Sequence, residues 1–486
     1  MTRPRVAIIG GGLAGLAAAT ALAPRGYRVI LLESRDRLGG RAGSFTDPVT
    51  GQLIDACQHV SMGCCTNYSH FCKTLGIAGY LEPQPELWFM TPDRKLTRFR
   101  ADDLPAPLHL ARSFANAHYL TLGEKLRAGY ALAMLRLAST KDDPPFQDWL
   151  VRHYQTQRII DRFWGLVLVS ALNETPDRIG LRYARKVFVD GFLTHPRGFV
   201  VDLPTVPLGR LYGNEMRQWL SQHQVEVHPL TGVKQIVLET PQAQGRPKEA
   251  PGMQTENSLQ LTIPESQELA GARPWDCGDV VRLELRTGEI TEADWYISTV
   301  PFDRLLDLLP TDVIERKPYF ANLRNLTVSP ITSVHCWFDK SATHLPHVTL
   351  IDSVGQWVFN RGKNEQGEYY LQVVVSAARQ FRGLGREEVQ RQVVEELRKL
   401  FPPLIDAKLL RAKVVTEHAA TFSAVPGVDR WRPPQGSPIR NLLVAGDWTA
   451  TGWPATMEGA VRSGYLAAEE LLRRDGKPHR LLQPDL

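Results

Sequence analysis

Three clusters of residues in this chain have the types and spacing to do chemistry. The first is Gly10-x-Gly12-x-x-Gly15, with Glu33 following 18 residues after Gly15. In such a turn the first glycine permits a tight bend, the second lets a pyrophosphate come up against the backbone, and the third lets helix and strand pack closely. The first-turn N–H groups of the next helix, at Leu13, Ala14 and Gly15, lack helical acceptors and sit at the positive end of its dipole, so they suit phosphate. Glu33, with Ser34 beside it, is placed to accept hydrogen bonds from a ribose. The second cluster is Gly39-Gly40-Arg41. The third runs from Asn441 to Gly464: a strand ending in Gly446, the acid Asp447, a Gly/Pro loop, and a helix starting near Thr456 and Met457 with Glu458 in its first turn.

These groups need elements to hold them. Val6 to Ile9 is apolar, Leu13 to Leu22 is Ala/Leu-rich and Arg28 to Leu32 is apolar again, which reads as one βαβ unit. A strand before the glycines, a helix after them and an acid at the right distance turn a common motif into a nucleotide site. From about Pro105 to Tyr183 the spacing is helical with no good strand, so an inserted helical region is expected. Strands are expected at 225–227, 233–238, 280–285 and 295–300, with a helix from Leu208 to Gln222 ahead of them and a helical stretch starting at Pro301. The polar residues 240–278 read as a surface excursion without chemistry. Alternating apolar residues from Val328 to Val375 predict an antiparallel sheet, and Arg386 to Leu400 predicts an amphipathic helix.

Composition sets the bounds. At 486 residues, 43% hydrophobic and 22% charged, the chain is globular and long enough for two or three domains. Its net charge of +5 is scattered and forms no basic run, so nucleic acid is not expected as a partner. The stretch Leu108 to Leu137 mixes apolar residues with Arg and Lys and reads first as a solvated helix face, with weak attraction to an anionic membrane as the other reading. No run of about 18 apolar residues exists, and the glycines in Val6 to Gly15 argue against a signal peptide, so cytoplasmic synthesis is expected. Four of the six cysteines are spaced C-x6-C-C-x6-C from Cys57 to Cys72, without the close pairs of a zinc site. Buried thiols are expected, and no metal.

Taken together, the two glycine segments with Gly39-Gly40-Arg41 resemble the flavin amine oxidase and carotenoid desaturase superfamily. Asp55-Ala-Cys-Gln-His59 with Gly63-Cys-Cys-Thr-Asn67, and Asp447-Trp-Thr-Ala-Thr with Pro454-Ala-Thr-Met-Glu-Gly459, most closely resemble its squalene-associated FAD-dependent desaturases, whose members act as hydroxysqualene dehydroxylases. The chain departs at Cys57, where related sequences often have glycine. The resemblance implies an α/β fold: a discontinuous, Rossmann-like FAD-binding domain from 1–105, 200–300 and 425–486, with an inserted α+β substrate domain from 106–199 and 301–424. It implies that Glu33 holds the adenosine ribose, Arg41 the pyrophosphate, Val233 the adenine through its main chain, and Asp447 the ribityl and phosphate region. The helix start at Thr456 and Met457 would stabilise negative charge on reduced flavin. FAD is expected to be non-covalent, since no cysteine follows Cys336.

The function this implies is reductive dehydroxylation of hydroxysqualene to squalene, in a dry apolar pocket that binds a hydrophobic isoprenoid by area. The external electron donor is not identified, and an oily substrate adds an expectation of reversible, peripheral membrane contact. His59 is the candidate general acid for loss of the hydroxyl, with Gln58 orienting the hydroxyl or a water. Two other readings are kept: a phytoene-desaturase-like or amine-oxidase-like enzyme running the flavin in the oxidising direction, and a non-catalytic prenyl-binding escort. The escort reading is opposed by the joint presence of Glu33, Arg41 and Asp447.

Overall fold

Val6, Ala7 and Ile8 have no exposure at all, because Arg5–Ile9 is the central strand of a five-stranded parallel sheet covered on both faces. The structure, a computed structural model, describes residues 3–239 and 277–486. The excursion expected at 240–278 lies outside the described residues apart from its last two positions. In order across the sheet the strands are Glu226–His228, Arg28–Leu32, Arg5–Ile9, Trp295–Ser298 and Leu442–Val444. The sheet is therefore Rossmann-like and assembled from segments far apart in sequence. Arg28–Leu32 lies on one side of the first strand and Trp295–Ser298 on the other. That reversal opens a crevice at the strands' carboxyl ends, where α/β sheets bind ligands. Helix Leu13–Leu22 is buried along its whole length and packs on the C-terminal helix Met457–Arg474. The approach is close: a Cβ on Gly464 would lie 2.3 Å from the Ala14 carbonyl oxygen.

The second layer is a seven-stranded sheet in the order Leu409–Phe422, Val328–Phe338, Tyr369–Ser376, Trp357–Lys363, His347–Leu350, Glu86–Met90 and Leu96–Arg100. Its two faces follow the period-two pattern of a strand. Val334, Cys336, Val373 and Val375 face a core closed by helix Arg386–Leu400, which buries Val389, Val393, Val394, Leu397 and Leu400. Ile331, Ser376 and Glu417 stand opposite one another in the ladder, as do Ser333, Val374 and Val415, and they share the other face. Helices between Leu108 and Leu193 pack an aromatic core of Phe146, Trp149, Phe163, Trp164 and Phe188.

One expected boundary needs correction. The hairpin of Glu86–Met90 and Leu96–Arg100 falls within the segment 1–105 assigned to the nucleotide-binding part. It pairs instead with the seven-stranded sheet, Phe89 and Met90 lying parallel to Thr349 and Leu350. A hairpin announces its own turn but not its remote partner. The strands of 328–375 pair antiparallel, as expected, and the sheet's one parallel junction is the one to this hairpin.

Candidate active site

Each glycine of the first turn has a different neighbour. Gly10 has φ of +107°, and a Cβ on it would come within 2.8 Å of the Thr299 hydroxyl. Thr299 itself lies 2.9 Å from the carbonyls of both Ile9 and Gly10, which it ties to the neighbouring strand. A Cβ on Gly15 would lie 2.1 Å from the Gly10 oxygen, so that glycine serves packing alone; it does not reach the cavity. Around Gly12 the nearest atom to such a Cβ is the Gly40 Cα at 3.9 Å, so the space beside it is open. Gly39 donates its N–H to the Gly11 carbonyl at 2.8 Å, laying Gly39 and Gly40 along the turn. The result is a cradle of bare backbone beside the N-terminus of helix Leu13–Leu22, suited to a pyrophosphate.

This cradle belongs to a cavity of about 790 Å³. Every site residue expected from the sequence lines it except Gly15: Gly10, Gly12, Leu13, Ala14, Glu33, Ser34, Gly39, Gly40, Arg41, Gln58, His59, Val233, Gly446, Asp447, Thr456 and Met457. Glu33 is fixed at one end, its carboxylate accepting from the Gly11 N–H at 2.7 Å and the Arg35 N–H at 2.8 Å. Arg35, Thr231, Gly232, Val233 and Arg286 surround that end, giving an adenosine moiety a carboxylate, main chain and two guanidinium groups. In the middle, Arg41 donates to the Ala420 carbonyl at 2.9 Å and pairs with the buried Asp447. The two residues expected to hold pyrophosphate and ribityl groups are thus partners of each other.

At the far end Thr456 caps helix Met457–Arg474, accepting from the Gly459 N–H at 3.0 Å. Glu458 turns away from the cavity. Its buried carboxylate accepts from the Tyr68 N–H at 2.7 Å and the Asn67 side-chain amide at 2.9 Å, capping helix Thr66–Thr74. Burial pushes its carboxyl above the ordinary range.

His59 differs from the expected acid. Its Nδ1 lies 2.9 Å from the Cys57 carbonyl oxygen, which can only accept, so Nδ1 carries the proton and donates. Nε2 has no hydrogen-bond partner among the described residues. Burial holds the imidazole below its ordinary pKa, and the Arg41 charge acts in the same direction against the Asp55 carboxylate and the bond to Cys57. The ring is neutral near pH 7, its N–H is spent on the backbone, and what it offers is a lone pair. The general-acid expectation needs an N–H aimed at the substrate, whereas the neutral ring turns its N–H to Cys57 and presents the Nε2 lone pair. Gln58 donates to the His59 carbonyl at 3.1 Å and leaves its own Oε1 buried without a partner. The Cys57 thiol, pushed up to about 12 chiefly by burial, stays protonated.

The residues of the remaining wall were not singled out in the sequence. Ser170, Ala171 and Asn173 come from the end of helix Leu166–Leu172, and Ile331, Val374, Ser376 and Val415 from one face of the seven-stranded sheet. Trp448 is the one Phe, Tyr or Trp among the described lining residues, and its indole donates to the Val300 carbonyl at 3.1 Å. Thr299 had a legible signal, since it follows a buried strand at the switch point. The sheet residues had none, because only strand pairing selects their face.

The residues present fit FAD: a glycine cradle a Cβ would fill, a carboxylate for a ribose, main chain for adenine, and a helix N-terminus at the opposite end. Comparison with known proteins agrees. The family model described as flavin containing amine oxidoreductase matches residues 13–174 and 268–472. The 15-cis-phytoene desaturase of Synechococcus elongatus is 29% identical, covering 98% of this chain and 97% of that protein. The chloroplastic/chromoplastic 15-cis-phytoene desaturase of Narcissus pseudonarcissus is 28% identical over 96% of this chain and 79% of its own length. An oxidoreductase from Methanosarcina mazei has the same fold, with a TM-score of 0.67 at 14% identity, covering 96% of this chain and 100% of its own. The chain belongs to the flavin containing amine oxidoreductase family, and its cofactor is FAD.

Proposed function

We propose that this protein is an FAD-dependent desaturase that introduces a double bond into a long isoprenoid polyene of the 15-cis-phytoene type. The reading replaces reductive dehydroxylation of hydroxysqualene as the preferred one. The observation that carries it is His59: a neutral imidazole whose N–H is held by Cys57 has no proton to give a departing hydroxyl, but has a lone pair for a proton leaving carbon. Likeness to phytoene desaturases over 96–98% of this chain supports the same direction of chemistry.

When bound, FAD supplies acceptance of a hydride from a substrate C–H. The protein's own contribution is different. Ala171, Ile331, Val374 and Val415 present apolar surface that binds a hydrocarbon by area and keeps water from the reacting carbons. His59 Nε2 takes the proton lost from the adjacent carbon, and the electron pair of that C–H bond becomes the new π bond. The Cys57 carbonyl keeps the ring in the accepting tautomer.

The test is anaerobic mixing of the holoenzyme with 15-cis-phytoene, hydroxysqualene or simple amines, following flavin bleaching and analysing products. Bleaching with phytoene and formation of a more unsaturated polyene is the expected result. Conversion of hydroxysqualene to squalene by the pre-reduced enzyme, with phytoene inert, would restore the dehydroxylase reading. Bleaching by amines alone would make the protein an amine oxidase.

A further inference from the structure

We propose that the solvent face of helix Leu122–Leu137 is a docking surface for an anionic lipid bilayer. A helix on the outside of a protein normally turns charge to water. Here the buried side is narrow and small, formed by Glu124, Ala128, Ala131 and Leu135. The outer side carries Leu122 at 73% exposure, Leu126 at 68%, Tyr130 at 44% and Leu137 at 81%. Steps of four, four and seven residues align these side chains along one stripe. Tyr130 widens the patch, its ring 6.3 Å from that of Tyr154, which is 71% exposed.

The charge on this face has one sign. Arg127 and Arg136 are exposed, and neither side chain has an ion-pair partner among the described residues. Glu124, the helix's one acid, is buried, paired with Arg158 and engaged in a capping box with Thr121 that fixes the helix start. At the other end Arg185 donates to the Leu135 carbonyl at 3.1 Å and the Arg136 carbonyl at 2.9 Å, adding a third cation.

An apolar stripe flanked only by cationic side chains, Lys125 among them, selects its occupant. A second copy of the chain would bring arginines against arginines, with no acid on either face. A bilayer with anionic headgroups supplies both complements, acyl chains for the leucines and phosphates for the arginines, and tyrosine sits well at the boundary. No helix among the described residues is long and apolar enough to cross a membrane, so the helix lies in the interface plane. The inference rests on this face alone and holds whichever substrate the cavity takes.

Flotation of the holoprotein with vesicles of phosphatidylcholine, or of phosphatidylcholine with phosphatidylglycerol, tests it. The protein and its flavin should rise with the anionic vesicles at low salt and be largely released at high salt. The double variant Leu126→Glu/Leu137→Glu should lose at least about tenfold in partitioning per leucine, given the apolar area each removes from water. Its flavin content and melting temperature should stay at the wild-type level, since both side chains are exposed. Arg127→Gln/Arg136→Gln should weaken the preference for anionic over neutral vesicles, Lys125 and Arg185 keeping the remainder. Three outcomes overturn the proposal: wild-type protein that never floats, a leucine variant that floats as well as wild type, or a wild-type dimer that the leucine variant splits while vesicles capture nothing.

Discussion

The two ends of the cavity are built by different rules. At the nucleotide end the ligand-facing surface is mostly backbone: Gly10, Gly12, Gly39 and Gly40, with one carboxylate held by two N–H groups. At the substrate end it includes Ile331, Val374, Ser376, Val415 and Glu417, from one face of three strands brought together from residues 328–338, 369–376 and 409–422. A backbone surface tolerates one residue type at fixed spacing and so leaves a motif. A sheet face accepts any apolar residue of suitable size. The first end is rigid in what it can bind, and the second is where specificity can change.

The sharpest way to break this contrast is at the glycines. Gly12→Val should leave the fold intact, because its Cβ has no protein atom closer than 3.9 Å, while filling the space the pyrophosphate needs. Flavin affinity should fall by at least about 10²-fold, the scale of several lost phosphate contacts, read as flavin absorbance after gel filtration. Gly15→Val is the counterpart. With the Gly10 oxygen 2.1 Å from the new Cβ, helix and strand must separate, so this variant should lose soluble protein along with flavin. If both variants simply lost flavin with equal melting temperatures, the division between cradle and packing glycine would be wrong.

His59 stands between the two ends and is the next largest effect. His59→Ala should retain FAD yet turn over roughly 10²-fold more slowly, the usual scale for a lost general base. The pH profile separates base from acid. A base with a depressed pKa is fully competent from below its ordinary value of about 6.5 upward, so the wild-type rate should be flat through neutrality and fall only on acidification. A rate that drops as pH rises through neutrality would return His59 to the acid role.

How much was legible follows the same division. The βαβ unit, the bounds of helix Leu13–Leu22 and strand Arg28–Leu32, and the acid at Glu33 could be read because local spacing encodes them. Asp447 and Thr456 were readable for the same reason. Arg41 and Asp447 gave no sign of pairing, since they come from opposite ends of the chain. Glu458 looked like an ordinary first-turn acid; that it caps another helix depends on a packing no single segment specifies. The tautomer of His59 was hidden because it hangs on a backbone carbonyl two residues away.

Acid should distinguish the two ends by sign. His335 and His347 lie fully buried in the seven-stranded sheet, where burial brings both to about 4. Below about 6.5 the unfolded chain takes protons that the folded sheet refuses, so stability falls with pH, by on the order of 4 kcal/mol for the pair near pH 5. Asp55 and Glu458, buried outside that sheet, behave oppositely. Burial raises their carboxyls, so the unfolded chain ionises first as pH rises, and their penalty eases on acidification. Hydrogen exchange at about pH 5 should therefore quicken in the seven-stranded sheet before the five-stranded one. His335→Gln/His347→Gln should flatten that response; equal acceleration in both sheets would refute the assignment.

The smallest expected effect tests the two faces of one strand. Val373 and Val374 are neighbours in Tyr369–Ser376, one fully buried under helix Arg386–Leu400 and the other 8% exposed on the cavity wall. Val373→Ala removes two methyl groups from a packed core that cannot collapse around the gap, and should cost about 1–3 kcal/mol with little change in kinetics. Val374→Ala enlarges a space that is already open, so it leaves less new void and should cost under about 1 kcal/mol. Its signature lies elsewhere: with less apolar area on the hydrocarbon, KM should rise by about threefold to tenfold while kcat and flavin content hold. Melting curves and steady-state kinetics on the two single variants give the comparison directly. If Val373→Ala changed KM and Val374→Ala changed only stability, the face assigned to the substrate would be the wrong one, and the cavity wall would have to be redrawn on the helix side of the sheet.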